Sequence, residues 1–173
     1  MNDTTRTIDP VIALDSLELQ PRPEAWRPSG AAADKFDVER AHLGDRLGLT
    51  KLGLNLTQVA PGRTAYPFHS HRANDELFYV LAGEGTLRLG ERRLPVKVGD
   101  VIGCPVGGPE SAHQLINTGS APLRYLSISS NFDPDICEYP DSGKVGVYAG
   151  DDPKTGLMHL TRYADAKDYW DGE

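Results

Sequence analysis

Cysteine is scarce, with Cys104 and Cys137 the two in 173 residues. Two cysteines cannot build the dense disulfide framework of a small secreted domain, so two free thiols in a reducing compartment are expected. Long apolar runs are missing as well. No stretch approaches the roughly 20 residues that span a bilayer, and no membrane partner is expected. The start of the chain holds the brief apolar run Val11-Ile12-Ala13-Leu14 but no basic leader ahead of a small-residue cleavage site. That makes the cytoplasm the expected location. Basic charge is in deficit: 18 Lys and Arg stand against 25 Asp and Glu, for a formal net charge of -7. Basic residues cluster no further than pairs such as Arg92-Arg93, which argues against nucleic acid as a partner. Internal repeats and low-complexity tracts are absent, and the core lacks the Asn-Gly and Asp-Gly signals of the tightest hairpins.

Turn formers, by contrast, are plentiful. With 18 glycines, 13 prolines, 39% hydrophobic and 25% charged residues, the composition fits an all-β protein of short strands. The length suits one domain with a single core. Residues 1–35 carry Pro10, Pro21, Pro23 and Pro28 and no sustained periodicity, and read as an extended N-terminal arm. Val11, Ile12, Leu14, Leu17 and Leu19 are expected to pack on the domain or on a second subunit, because a solvated tail seldom holds them. Residues 36–150 read as the main domain. Residues 151–173 read as a short C-terminal tail, with a short helix expected around Ala164 to Trp170.

Within the domain, Leu52, Leu54 and Leu56 alternate with Gly53, Asn55 and Thr57 until Pro61-Gly62 stops the strand. Glu76 to Ala82 is apolar on both faces, with Phe78 and Val80 beside Glu76 and with Leu77, Tyr79 and Leu81 opposite, and is expected to be covered on both sides. Gly83 breaks it, Thr86 to Leu89 follows, and Gly90-Glu91 reads as a hairpin turn. Leu94 to Val98 is the next strand, where Pro95 favours an edge. Val101 to Pro105, Ala112 to Asn117, Leu123 to Ser129 and Lys144 to Tyr148 complete the pattern, with Tyr139 to Gly143 as a turn.

Chemistry concentrates in two stretches. His69-Ser70-His71 lies in an extended segment, where residues two apart share a face and both imidazoles can reach one ion. Glu76 comes five positions after His71, so simple alternation would place it on the opposite face. Arg72-Ala73-Asn74-Asp75 carries turn-forming residues that reset the register. Alone, the two histidines read as surface residues and Glu76 as an ordinary solvated acid. His113, inside the apolar strand with Leu115, adds a third imidazole. Three imidazoles and a carboxylate suit a first-row divalent metal.

The pair of stretches resembles the cupin superfamily. The first cupin motif, H-x-H-x(3,4)-E-x6-G, is matched by His69, His71, Glu76 and Gly83, and the second by Gly99, Pro105, Gly107, His113 and Asn117. The resemblance covers roughly residues 48–130. Six residues rather than five separate Gly62 from His69, and five rather than two separate Gly107 from His113. The longer segment is expected to enlarge a loop at the barrel mouth. The resemblance implies a double-stranded β-helix, or jelly-roll, barrel that holds one divalent ion (Fe, Mn, Ni, Cu or Zn) on His69, His71, Glu76 and His113. It implies a small-molecule substrate or ligand and a homodimer. The expected function is a metalloenzyme acting on an oxygenated substrate, isomerase-like or dioxygenase-like. The alternative is a non-catalytic ligand-binding or sensor protein.

Phe78, Val80 and Leu115 are expected to line the cavity, and Arg88 is the available basic anchor for a sugar phosphate. Arg63 and Tyr66 flank the ligand strand and read equally as packing. Gly83-x-Gly85 with Gly90 reads as a strand turn, not a phosphate loop, since no helix follows. His42 and His159 lie outside both motifs, Cys104 reads as an inert buried thiol, Cys137 has less support still, and Asp141 reads as part of a structural turn.

Overall fold

A computed structural model of the chain describes residues 8–150 and 155–173. Its strands are β1 (Gln20–Pro21), β2 (Glu39–His42), β3 (Leu52–Val59), β4 (Ser70–His71), β5 (Glu76–Ala82), β6 (Glu84–Leu89), β7 (Arg92–Lys97), β8 (Val101–Cys104), β9 (His113–Ile116), β10 (Leu123–Ser130), β11 (Asp135–Tyr139), β12 (Lys144–Ala149) and β13 (Leu157–Arg162). Among the described residues, helix is confined to single 3-10 turns. The strands form antiparallel sheets in the orders β1-β2-β3-β10-β5-β8, β13-β12-β11-β4 and β7-β6-β9, the all-β jelly roll that the family resemblance implies.

Register decides what faces inward. Residues directly opposite across antiparallel strands share a face. Three rows therefore cross the large sheet on its inner side: Gly53, Ser129, Glu76 and Cys104; then His42, Asn55, Ser127, Phe78 and Ile102; then Arg40, Thr57, Tyr125 and Val80. The leucines of β3 face outward. There Leu54 and Leu56, with Ala41, Leu43, Leu81 and Leu126, form an apolar layer on which Ile12, Leu14, Leu17 and Leu19 of the N-terminal arm lie. β1 extends the arm's contact by pairing with β2. The other core cluster, including Val59, Phe78, Val80, Leu115, Leu123 and Tyr125, fills the barrel.

Several local readings hold. β5 spans the residues expected, and Pro95 sits on β7, an edge strand. Gly83 ends β5 with φ +78, and a Cβ there would meet the Pro122 carbonyl oxygen at 2.5 Å, so the turn requires glycine. Two readings need correction. The outer face of β5 is not fully covered, because Leu77 and Tyr79 stay 36% and 38% exposed where the arm does not reach. No helix forms at Ala164 to Trp170: a 3-10 turn at Tyr163–Asp165 gives way to turns, with Tyr169 and Trp170 exposed and without an apolar face to dock on. The segment before it, β13, pairs with β12.

Candidate metal centre

His69 and His113 are tied backbone to backbone, each amide donating to the other's carbonyl at 3.2 and 2.8 Å, so their rings stand 4.7 Å apart. His71 lies opposite Cys137 where β4 meets β11. The turn that returns Glu76 to the same side is held by its own polar residues. Asn74 is buried; its amide donates to Phe132 O at 3.1 Å and its Oδ1 accepts from Phe132 N at 2.7 Å. Asp75 accepts from Val106 N at 2.8 Å, and Arg72 pairs with buried Glu138. Glu76 then opens β5 pointing inward. The register reset read from Arg72 to Asp75 is thus present.

All four candidate ligands meet at one carboxylate. Oε2 of Glu76 lies 2.7 Å from His113 Nε2, 3.6 Å from His71 Nε2 and 3.9 Å from His69 Nε2. The donor atoms of His69, His71 and Glu76 fall within 4.8 Å of one another, and His113 joins them through its hydrogen bond to Glu76. The proton positions follow from the partners. Pro67 O can only accept, so His69 Nδ1 donates to it at 2.8 Å, and His71 Nδ1 faces Asp135 Oδ2 at 2.6 Å. Both rings therefore keep their Nε2 lone pairs on the Glu76 side. His71 Nε2 is buried with no hydrogen-bond partner among the described residues. A buried acceptor without a donor is costly, and three imidazoles converging on a partly buried carboxylate make the donor set of a divalent metal. The residues fit such an ion.

Electrostatics agree with that donor set. Burial, reinforced by His113 and His71, lowers the His69 pKa to about 4, which keeps the ring neutral as a ligand must be. Burial alone would raise Glu76, but the hydrogen bond from His113 and the nearby imidazoles outweigh it and hold the carboxylate at about 2. Behind His71, Asp135 and Cys137 form a further cluster, the Cys137 Sγ 3.3 Å from His71 Nδ1. Burial, then Asp135 and Glu76, push the Cys137 thiol up to about 12, so it is no thiolate and this cluster serves to orient His71.

The quartet opens onto a cavity of about 370 Å³ whose wall includes Arg40, Asn55, Tyr66, Phe78, Gln114, Leu115, Ser127, Tyr139 and Tyr148. Of the expected lining residues, Phe78 and Leu115 reach it and Val80 does not. Three further placements correct the sequence reading. Arg88 cannot serve as the anchor in this cavity, since it lies 3.6 Å over the Phe68 ring, binds Asp141 through both terminal nitrogens, and lines a separate pocket. The enlarged loop lines that separate pocket too, because Pro109 to Ser111 coil into a 3-10 turn beside Arg88. Cys137, given little weight in the sequence, stands in the cavity wall. Arg63 donates to Ala33 O outside the cavity. His42 is exposed near the mouth and hydrogen-bonded to Asn55, and His159 is exposed on β13. Cys104 is buried and free, its thiol pushed by burial to about 12. Asp135 and Tyr139 were missed, and Cys137 was underweighted, because β11 has no clean alternation.

A jelly-roll barrel with three inward histidines and a glutamate beside an internal cavity is the architecture of a single-site, metal-competent small-molecule barrel. The chain belongs to the cupin family. The cupin domain model matches residues 55–129. An oxalate-binding protein of Thermotoga maritima is 32% identical over 114 residues, covering 65% of this chain and 88% of that protein. The crystal structure of a sugar phosphate isomerase from a cupin superfamily, from Silicibacter pomeroyi, superposes with TM-score 0.76 at 25% identity, over 94% of this chain and 98% of that one. A crystal structure from Acidithiobacillus ferrooxidans superposes with TM-score 0.68 at 30% identity, over 76% and 80% of the two chains. No helix among the described residues is long and apolar enough to cross a membrane.

Proposed function

We propose that the protein is a metal-dependent enzyme acting on a small, multiply oxygenated substrate, with His69, His71, Glu76 and His113 holding one divalent ion. The observation that carries this reading is the convergence of three imidazoles on the partly buried Glu76 carboxylate at the wall of an internal cavity. A divalent ion, when bound, polarises a substrate oxygen as a Lewis acid. The rest falls to the chain's own groups. Asp135 fixes the His71 ring, and Phe78 and Leu115 form a dry wall. The mutually bonded hydroxyls of Tyr139 and Tyr148, 2.8 Å apart, together with Gln114 and Ser127, offer hydrogen bonds to substrate hydroxyls.

Isomerisation of a sugar-like substrate is the leading activity, supported by this hydroxyl-rich wall and by the likeness to a structure named as a sugar phosphate isomerase. Dioxygenation is the second reading, supported by the same donor set. A non-catalytic role is favoured by a separate observation, the similarity to a protein named for binding oxalate. We further place the protein in the cytoplasm as a homodimer, for which exposed Leu157, Met158 and Leu160 on β13 offer apolar area. The test is a screen of the metal-loaded protein against aldoses, ketoses and sugar acids, with oxygen uptake followed in parallel. Turnover lost in His71→Ala with the fold retained is expected. Tight binding without turnover for every probe would transfer the protein to the binding class.

A further inference from the structure

The inner row of the large sheet ends in a charge that neither cupin-like stretch contains. Arg40, on β2, stands opposite Thr57, and its register turns it into the cavity that holds the histidine cluster. Its Nη1 donates to the Tyr66 hydroxyl at 2.9 Å, and the Tyr66 ring in turn lies 6.4 Å from that of His69. Arg22 from the N-terminal arm steadies Tyr66, stacking 5.1 Å over its ring while donating to Ala65 O at 2.9 Å. The guanidinium is thus held one side chain away from the candidate metal ligands.

Three other arginines have a carboxylate partner: Arg72 pairs with Glu138, Arg88 with Asp141 and Arg46 with Asp9. Among the described residues Arg40 has no ion pair, and neighbouring Glu39 is turned to the outer face, where it accepts from Gln58. The charge is felt locally, since burial and then Arg40 lower the pKa of His42, two residues along β2. A partly buried cation without a counter-charge is unfavourable. It persists in folds where a ligand supplies the anion.

We propose that Arg40 is the specificity-determining anchor of the cavity and binds a carboxylate or phosphate at the far end of a hydroxylated substrate. The Tyr66 hydroxyl occupies one Nη1 donor, which leaves the Nε and Nη2 edge for two oxyanion oxygens in fork geometry. The near end of the ligand lies at the histidine cluster, and in that respect the inference rests on the functional reading above. It names Arg40 rather than Arg88 as the residue that selects charge.

The test measures binding of glucose, glucuronate and glucose 6-phosphate to wild type, Arg40→Gln and Arg40→Lys by calorimetry, with and without metal loading. Wild type is expected to bind at least one charged probe about ten- to a hundredfold more tightly than glucose. R40Q should erase that preference with metal content and thermal midpoint unchanged, and R40K, which keeps the charge but loses the fork, should restore part of it. Which charged probe benefits separates a carboxylate source from a phosphate one. Equal binding of charged and neutral probes by wild type, no binding of any probe, an unchanged preference in R40Q, or loss of metal in R40Q would each overturn the proposal. If R40Q fails to fold, Tyr66→Phe replaces it: releasing the guanidinium must weaken charged probes more than glucose, and equal weakening overturns the anchor. A wild-type chain that takes up no metal would defeat the functional reading separately, while the metal-free comparison still decides the anchor.

Discussion

At His69, burial and the neighbouring imidazoles of His113 and His71 keep the ring neutral to about pH 4, against an ordinary value of 6.5. In the unfolded chain the same ring takes up its proton near 6.5. Between those values the unfolded state binds more protons than the native state, so stability must rise with pH across that window and fall as acid is added. Urea midpoints of the metal-free protein should therefore drop between about pH 6.5 and 4, and His69→Gln should flatten that limb. An unchanged limb in the variant would show that His69 does not carry it. Glu76 differs in origin: its lowered pKa adds stability that is full above the ordinary carboxylate value of 4.5 and is lost progressively as pH falls from there to about 2.

At the level of elements, the site depends on two short connections that a strand pattern does not display. The turn from Arg72 to Asp75 returns Glu76 inward because Asn74 and Asp75 bond to segments 132 and 106, far along the chain. Gly83, at the other end of β5, sits at φ +78 against the Pro122 carbonyl. Gly83→Ala should destabilise the protein by roughly 1–3 kcal/mol, read by urea unfolding, since it adds both left-handed strain and a clash. A neutral effect would mean the turn relaxes freely.

These elements also show what was legible in the sequence. β5, the hairpin at Gly90, the edge position of Pro95 and the convergence of His69, His71, Glu76 and His113 could be read because alternation and motif spacing are local signals. β2 and β11 could not, because the places of Arg40, Asp135 and Cys137 beside the cavity come from pairing with other strands. Arg88 misled for the same reason: its partner Asp141 lies 53 positions away, and only the folded chain brings them together.

For the molecule as a whole, the cupin barrel supplies two different surfaces on one sheet. The outer leucine face is covered in part by the N-terminal arm, and the same arm, through Arg22, braces Tyr66 on the inner side. The large sheet thus links arm packing to the shape of the cavity, which holds a candidate metal site toward β5 and a basic group toward β2. The central claim is that His69, His71, Glu76 and His113 bind metal as a set. Elemental analysis of the protein after loading and exhaustive desalting, for wild type and for His71→Ala, His113→Ala and Glu76→Gln, tests it most directly. About one divalent ion per chain in wild type and strong loss in each variant is the predicted result. Wild-type protein that retains no metal under any loading condition, or variants that retain it fully, would contradict the account.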